Sequence, residues 1–94
     1  MTKDLYSQIA ARIIEGQEAI IGPVAVEQAR RVSHLTLDWE NQAVDIDGDG
    51  IRVIEQLVQV YKELFGQISV EVSKESAGSL LHQLSADQIP QVLQ

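Results

Sequence analysis

Three aspartates alternate with other residues just before a glycine in the middle of the chain. Asp45, Asp47 and Asp49 stand at every second position, and Gly50 follows the last of them. Carboxylate oxygens are the ligands that calcium prefers, and a glycine permits the sharp turn that lets several of them reach one ion. The residue types in this stretch therefore raise the hypothesis of a calcium site.

This stretch resembles the first half of an EF-hand calcium loop, in which positions 1, 3 and 5 supply carboxylates and position 6 is glycine. The second half departs from that pattern. Position 12, which holds a bidentate glutamate in the family, is Gln56 here, and Glu55 stands one residue early. Arg52 occupies position 8, which is normally apolar. The ligand set that the resemblance implies is Asp45, Asp47, Asp49 and Glu55.

The same residues also fit a turn between a strand and a helix. An EF-hand enters its loop from a helix, whereas residues 43–47 alternate like a strand. Gly48 and Gly50 supply flexible backbone, and Asp49 or Asp47 caps the helix that follows, because the helix dipole favours a carboxylate there. We favour this interpretation, in which no cofactor binds, and keep calcium binding as the alternative.

Size and composition limit the class of protein. The chain has 94 residues, of which 45% are apolar, and this predicts one small domain over residues 1–94 with one modest core. The absence of cysteine excludes disulfides and thiolate metal sites. The first ten residues lack the pattern of a secretion signal, and no apolar run is long enough to span a membrane. We therefore expect a cytoplasmic protein.

The net charge of −7 is concentrated in one segment. Residues 38–55 carry six acids and one base, a balance of −5. Because an acidic surface repels phosphate groups and anionic lipid, we expect neither nucleic acid nor membrane as a partner.

The first half of the chain predicts two helices and a β-hairpin. Apolar residues keep helical spacing over residues 3–21, and Gly22 and Pro23 predict the end of that helix and the start of a second one, which runs to about Val32. Apolar and polar residues then alternate on both sides of a polar segment at residues 40–43. In the pairing that we expect, Leu37 faces Ile46, Trp39 faces Val44 and Asp38 faces Asp45.

The second half predicts two or three further helices, so the fold class is α+β. A third helix begins after Gly50 and runs through Phe65, and Gly66 ends it. Helical spacing favours a fourth helix over residues 69–84, although residues 68–72 also fit a strand. Ser85 and Gln88 have the spacing of a capping box for a last short helix.

The third helix is apolar on two sides. One stripe contains Ile51, Ile54, Val58, Tyr61 and Phe65, and the other contains Val53, Leu57, Val60 and Leu64. A helix of this kind is either central in its own domain or packs on a partner with one stripe. We expect a homodimer, or a complex with a protein partner, in which the contact residues are Val53, Leu57, Val60 and Leu64.

No catalytic pattern accompanies these elements. The two histidines, His34 and His82, lack the short spacing of a helical metal pair, and neither a phosphate-binding glycine loop nor a nucleophile motif occurs. No pattern is specific enough to assign the chain to a family. We expect a small acidic, non-enzymatic protein-interaction or regulatory module that is homodimeric, with a calcium-binding module as the alternative.

Overall fold

A computed structural model describes the backbone of residues 2–94 and the side chains from Leu5 onward. It confirms the α+β class, with four α-helices and one two-stranded antiparallel hairpin among these residues. Three short 3-10 turns complete the described elements. In chain order the elements are α1 (Thr2–Ile21), α2 (Val24–Ala29), β1 (Leu35–Asp38), a 3-10 turn (Trp39–Asn41), β2 (Ala43–Ile46), α3 (Gly50–Phe65), α4 (Gln67–Leu81) and two further 3-10 turns (Ala86–Gln88 and Gln91–Leu93).

Glycines mark the two corners between consecutive helices, as their positions in the sequence predict. Gly22 follows α1 with φ of 76°, and Gly66 follows α3 with φ of 83°. Both values lie in the left-handed region, which glycine adopts without the steric penalty of a Cβ atom. The predicted ends of α1 at Ile21 and of α3 at Phe65 are confirmed, and α3 begins at Gly50, one residue earlier than predicted.

Three other predicted boundaries need correction. Helix α2 ends at Ala29, three residues before the expected end, and α4 covers 67–81 instead of 69–84. The strand alternative for residues 68–72 is wrong, because these residues are helical. The capping box at Ser85 and Gln88 is present, but it starts a 3-10 turn, and Pro90 separates that turn from the last one.

The predicted pairing of the hairpin is wrong by two residues. Leu35 pairs with Ile46 and Leu37 with Val44, whereas Leu37 was expected opposite Ile46. Trp39 does not pair, because it begins the 3-10 turn that connects the strands. The expected like-charge pair also does not form, since Asp38 faces Ala43 and Asp45 faces Thr36. A shift of two residues keeps every side chain on the same face, so the buried face is still the apolar one.

Helix α3, like α1, packs against several other elements of the described fold. It packs against α1, α2, α4 and the last 3-10 turn. Most of both apolar stripes is therefore buried in one core, together with apolar residues of α1, the hairpin and α4. The two-sided apolar pattern is explained mainly by central packing.

Helices α1 and α4 pack closely in antiparallel orientation. A Cβ atom at Gly16 would overlap the Ser76 hydroxyl, so the glycine permits the close approach. One residue further, the buried Gln17 side chain donates from Nε2 to the Ser69 carbonyl (2.9 Å) and to the Ser73 hydroxyl (3.2 Å). The last turns of α1 therefore lie beside the first turns of α4.

Candidate functional site

Asp49 caps helix α3. Its Oδ1 accepts hydrogen bonds from the backbone N–H groups of Ile51 (3.1 Å) and Arg52 (3.3 Å), and its backbone is extended, as is usual at an N-cap. This confirms the interpretation of the aspartate stretch as a turn from a strand into a helix.

The structure does not bring the four predicted calcium ligands together. Asp47 and Asp49 line one cavity of about 300 Å³, which they share with His34 and Arg52, whereas Glu55 lines a different groove. Asp45 lies on β2 and lines neither. Among the side chains of residues 5–94, no three carboxylate, histidine or cysteine groups are gathered in a way that could hold a metal ion.

We predict that calcium does not stabilise this protein specifically. About 1 mM calcium should raise the melting temperature no more than equal magnesium or matched ionic strength does, because a scattered ligand set binds the ion weakly. Thermal unfolding followed by circular dichroism measures this. The control is Asp47→Asn with Asp49→Asn, since asparagine is also a good N-cap. A calcium-specific rise of several degrees that this variant abolishes would contradict the prediction.

The four predicted contact residues are in three different environments. Val53 and Leu57 are buried in the protein's own core, with 3% and 0% exposure. Val60 is half-buried, and Leu64 is 53% exposed. A complex that preserves this fold can therefore use Leu64 fully and Val60 in part, but it cannot use Val53 or Leu57.

The exposed large apolar side chains of the described residues lie at the two helix corners. Ile20 and Val24 flank the α1–α2 corner, and Leu64 and Ile68 flank the α3–α4 corner. Their exposed fractions are 64%, 38%, 53% and 67% in that order. We call these four residues the corner patch.

Two hydrogen bonds place these corners side by side. The Gln17–Ser69 bond joins the end of α1 to the start of α4. The Tyr61 hydroxyl donates to the Ala25 carbonyl at 2.6 Å and joins the end of α3 to the start of α2. The four members of the corner patch are therefore at one end of the helices.

Of these four residues, Leu64 was predicted as a contact residue from the sequence, and Ile20, Val24 and Ile68 were not. A signal for them was present, because each stands within two residues of Gly22 or Gly66. Side chains next to a helix-ending glycine lie at the end of a helix, where few neighbours cover them. Which corners are adjacent depends on the antiparallel packing of α1 and α4, and no local pattern shows that.

A second surface feature is a cleft of about 470 Å³ beside Trp39. It lies between helix α2, the end of β1 and the turn that follows, with one residue of α1 at its edge. We call it the Trp39 cleft. Its lining is apolar in part and carries four carboxylates and one base, namely Glu18, Pro23, Val26, Glu27, Arg30, Leu37, Asp38, Trp39 and Glu40.

Comparisons with known proteins do not indicate a function for either surface. No family model, no curated protein and no solved structure matches this chain. None of the helices within residues 2–94 has both the length and the apolar character needed to cross a membrane.

Proposed function

We propose that this chain is a small non-enzymatic interaction module that forms a homodimer through the corner patch. The observation that carries the proposal is the position of the exposed large apolar side chains, which among the described residues are confined to one end of the fold. Four side chains at these exposures present on the order of 400 Å² of apolar surface, the size of the largest patch on a typical monomer, where such patches often bind proteins.

Charge supports a second copy as the occupant. Two copies of a chain with net charge −7 repel each other unless they meet where the local charge is balanced. Around the α3–α4 corner the charged residues are Lys62, Glu63, Glu71 and Lys74, two bases and two acids. Near the α1–α2 corner Glu18 and Glu27 add two acids, so the balance around the patch is −2. Repulsion between copies is therefore smaller here than at residues 38–55, where the balance is −5.

The area buried supports a weak, reversible dimer. The chain exposes 5406 Å², close to the roughly 5400 Å² that size scaling gives for a folded monomer of its mass. A contact between two corner patches would bury on the order of 800 Å² in total, which is below the range of tight complexes. The protein thus folds alone and associates at micromolar or higher concentration.

The proposal also includes the cellular location and the classes of partner. We place the protein in the cytoplasm, where a chain without cysteine needs no disulfide to fold, with neither nucleic acid nor membrane as a partner. The calcium-binding alternative has no support from the geometry, because the four carboxylates are separated.

Mass in solution tests the dimer. At about 100 μM, light scattering should report close to twice the chain mass of 10.4 kDa, falling toward one mass on dilution. Leu64→Lys with Ile68→Lys should remain monomeric, because four lysines would meet in the contact of two copies. The matched control, Gln59→Lys with Gln83→Lys, changes the net charge equally outside the patch and should dimerise like the parent.

Two results would contradict this proposal. A parent protein that stays monomeric at about 100 μM would exclude the homodimer at relevant concentrations. A lysine double variant that still dimerises would place the contact on another surface.

A further inference from the structure

The Trp39 cleft combines an aromatic wall with an apolar base. Val26 and Leu37 are buried core residues whose side chains also border the cleft, and Pro23 closes one side. Trp39 is half-buried, so part of its ring remains accessible. A cleft of about 470 Å³ is large enough for one long side chain and part of the chain that carries it.

The tryptophan ring is held in place before any ligand arrives. Its Nε1 donates to both carboxylate oxygens of Glu18, at 3.2 and 3.3 Å. This contact joins the hairpin turn to helix α1 across 21 residues of sequence. Since the ring is already oriented, a ligand that stacks on it does not have to order it.

From Leu5 onward, no basic side chain forms an ion pair with the carboxylates around the cleft. Among the side chains described, the ion pairs within 4.0 Å are His34–Asp47 and Lys74–Glu71, and neither involves a residue of the cleft. Arg30 is the one base in the lining, and its Nη1 donates to the Leu37 carbonyl at 3.3 Å. Four acids and one base leave the cleft with a formal charge of −3.

We propose that the Trp39 cleft binds an arginine side chain from a basic segment of a partner protein. The guanidinium stacks on the indole, and its N–H groups donate to the exposed carboxylates of Glu27 and Glu40. Arginine fits better than lysine because its planar group stacks on aromatic rings and presents a fork of donors to carboxylates. The cleft adjoins the α1–α2 corner at Pro23, but none of its lining residues belongs to the corner patch.

Tryptophan fluorescence tests the site directly, because Trp39 is the only tryptophan in the chain. A peptide of nine arginines, added to a few micromolar protein at about 50 mM salt, should change the emission of Trp39 saturably. Glu27→Gln with Glu40→Gln should weaken this binding about five-fold, because two carboxylate contacts are lost. Neither glutamate makes a side-chain hydrogen bond or ion pair in the described part of the chain, so folding should be preserved.

The matched control separates a defined site from general attraction to an acidic protein. Asp45→Asn with Glu75→Gln removes the same two charges at exposed positions that do not line the cleft, and should weaken binding less than about two-fold. An equal loss in both double variants would overturn the site, as would the absence of a saturable emission change. A nine-lysine peptide should bind at least about three-fold more weakly, and equal affinity would overturn the stacking of arginine on Trp39.

Discussion

Replacement of Tyr61 by alanine should lower the free energy of unfolding by about 3–5 kcal/mol. Tyr61 is fully buried and is the largest such side chain described. It lies in helix α3, and its hydroxyl donates to the Ala25 carbonyl of α2 at 2.6 Å. Alanine would therefore leave a cavity at the centre of the fold and also remove the polar contact that joins α3 to α2.

Urea unfolding at neutral pH measures this loss, and Tyr61→Phe separates its two causes. Phenylalanine preserves the ring and removes only the hydrogen bond, so it should cost about 1–2 kcal/mol. A phenylalanine variant as unstable as the alanine variant would show that the hydroxyl, and not the buried ring, accounts for the effect. An alanine variant within 1 kcal/mol of the parent would contradict the central position of Tyr61.

The parent protein and the Tyr61→Phe variant should also differ in how their stability depends on pH in alkaline solution. Burial, and after it the negative charge of Glu18, raise the pKa of Tyr61 well above its ordinary value of 10.0. Above pH 10 the unfolded chain loses this proton while the folded protein still retains it, so stability that is complete below pH 10 is lost as the pH rises. Between pH 9 and pH 11 the parent should lose about 1.4 kcal/mol more than Tyr61→Phe.

Leu57→Ala should cost about 2–5 kcal/mol, whereas Leu64→Ala should change the free energy of unfolding by less than about 0.5 kcal/mol. Both leucines belong to the same stripe of α3, but Leu57 is 0% exposed and Leu64 is 53% exposed. Alanine at Leu57 leaves a cavity that the neighbouring side chains cannot fill, and alanine at Leu64 removes atoms that already contact water.

Urea unfolding at low micromolar concentration, where the proposed dimer dissociates, measures both changes on the monomer. The comparison is matched in residue type, helix and substitution, so intrinsic helix propensity cancels. Similar costs at the two positions would mean that the stripe is not divided between core and surface.

The order of helices and strands could be predicted from local signals. Gly22, Pro23 and Gly66 interrupt the helical pattern, and they mark real corners of the chain. The pairing of the hairpin could not be predicted in the same way, because two pairings that differ by two residues bury the same face. The turn between β1 and β2 determines which of the two pairings forms. Trp39 begins a 3-10 turn and Gln42 adopts a left-handed conformation with φ of 51°, so β1 ends at Asp38.

The candidate surfaces depended on tertiary packing. The helical spacing of apolar residues showed that α3 has two apolar stripes. It did not show which stripe is buried in the protein's own core and which one a partner could contact. The structure shows that α2 and the last 3-10 turn contact α3, with Val53 and Leu57 in the same core as Leu93. The Trp39 cleft was beyond sequence reasoning, because its lining comes from α1, α2 and the hairpin turn.

The buried Gln17 side chain specifies how far α4 is displaced along α1. Apolar helix surfaces tolerate sliding, because one methyl group packs nearly as well as the next. The Gln17 amide instead contacts both Ser69 and Ser73, and the Ser73 hydroxyl also donates to the Ser69 carbonyl at 2.8 Å. Displacement of α4 by one turn toward its N-terminal end, about 5.4 Å, would put Ala77 in the place of Ser73 and deprive the buried amide of its hydroxyl partner. This displaced arrangement of α1 and α4 is thereby raised in energy relative to the observed alignment.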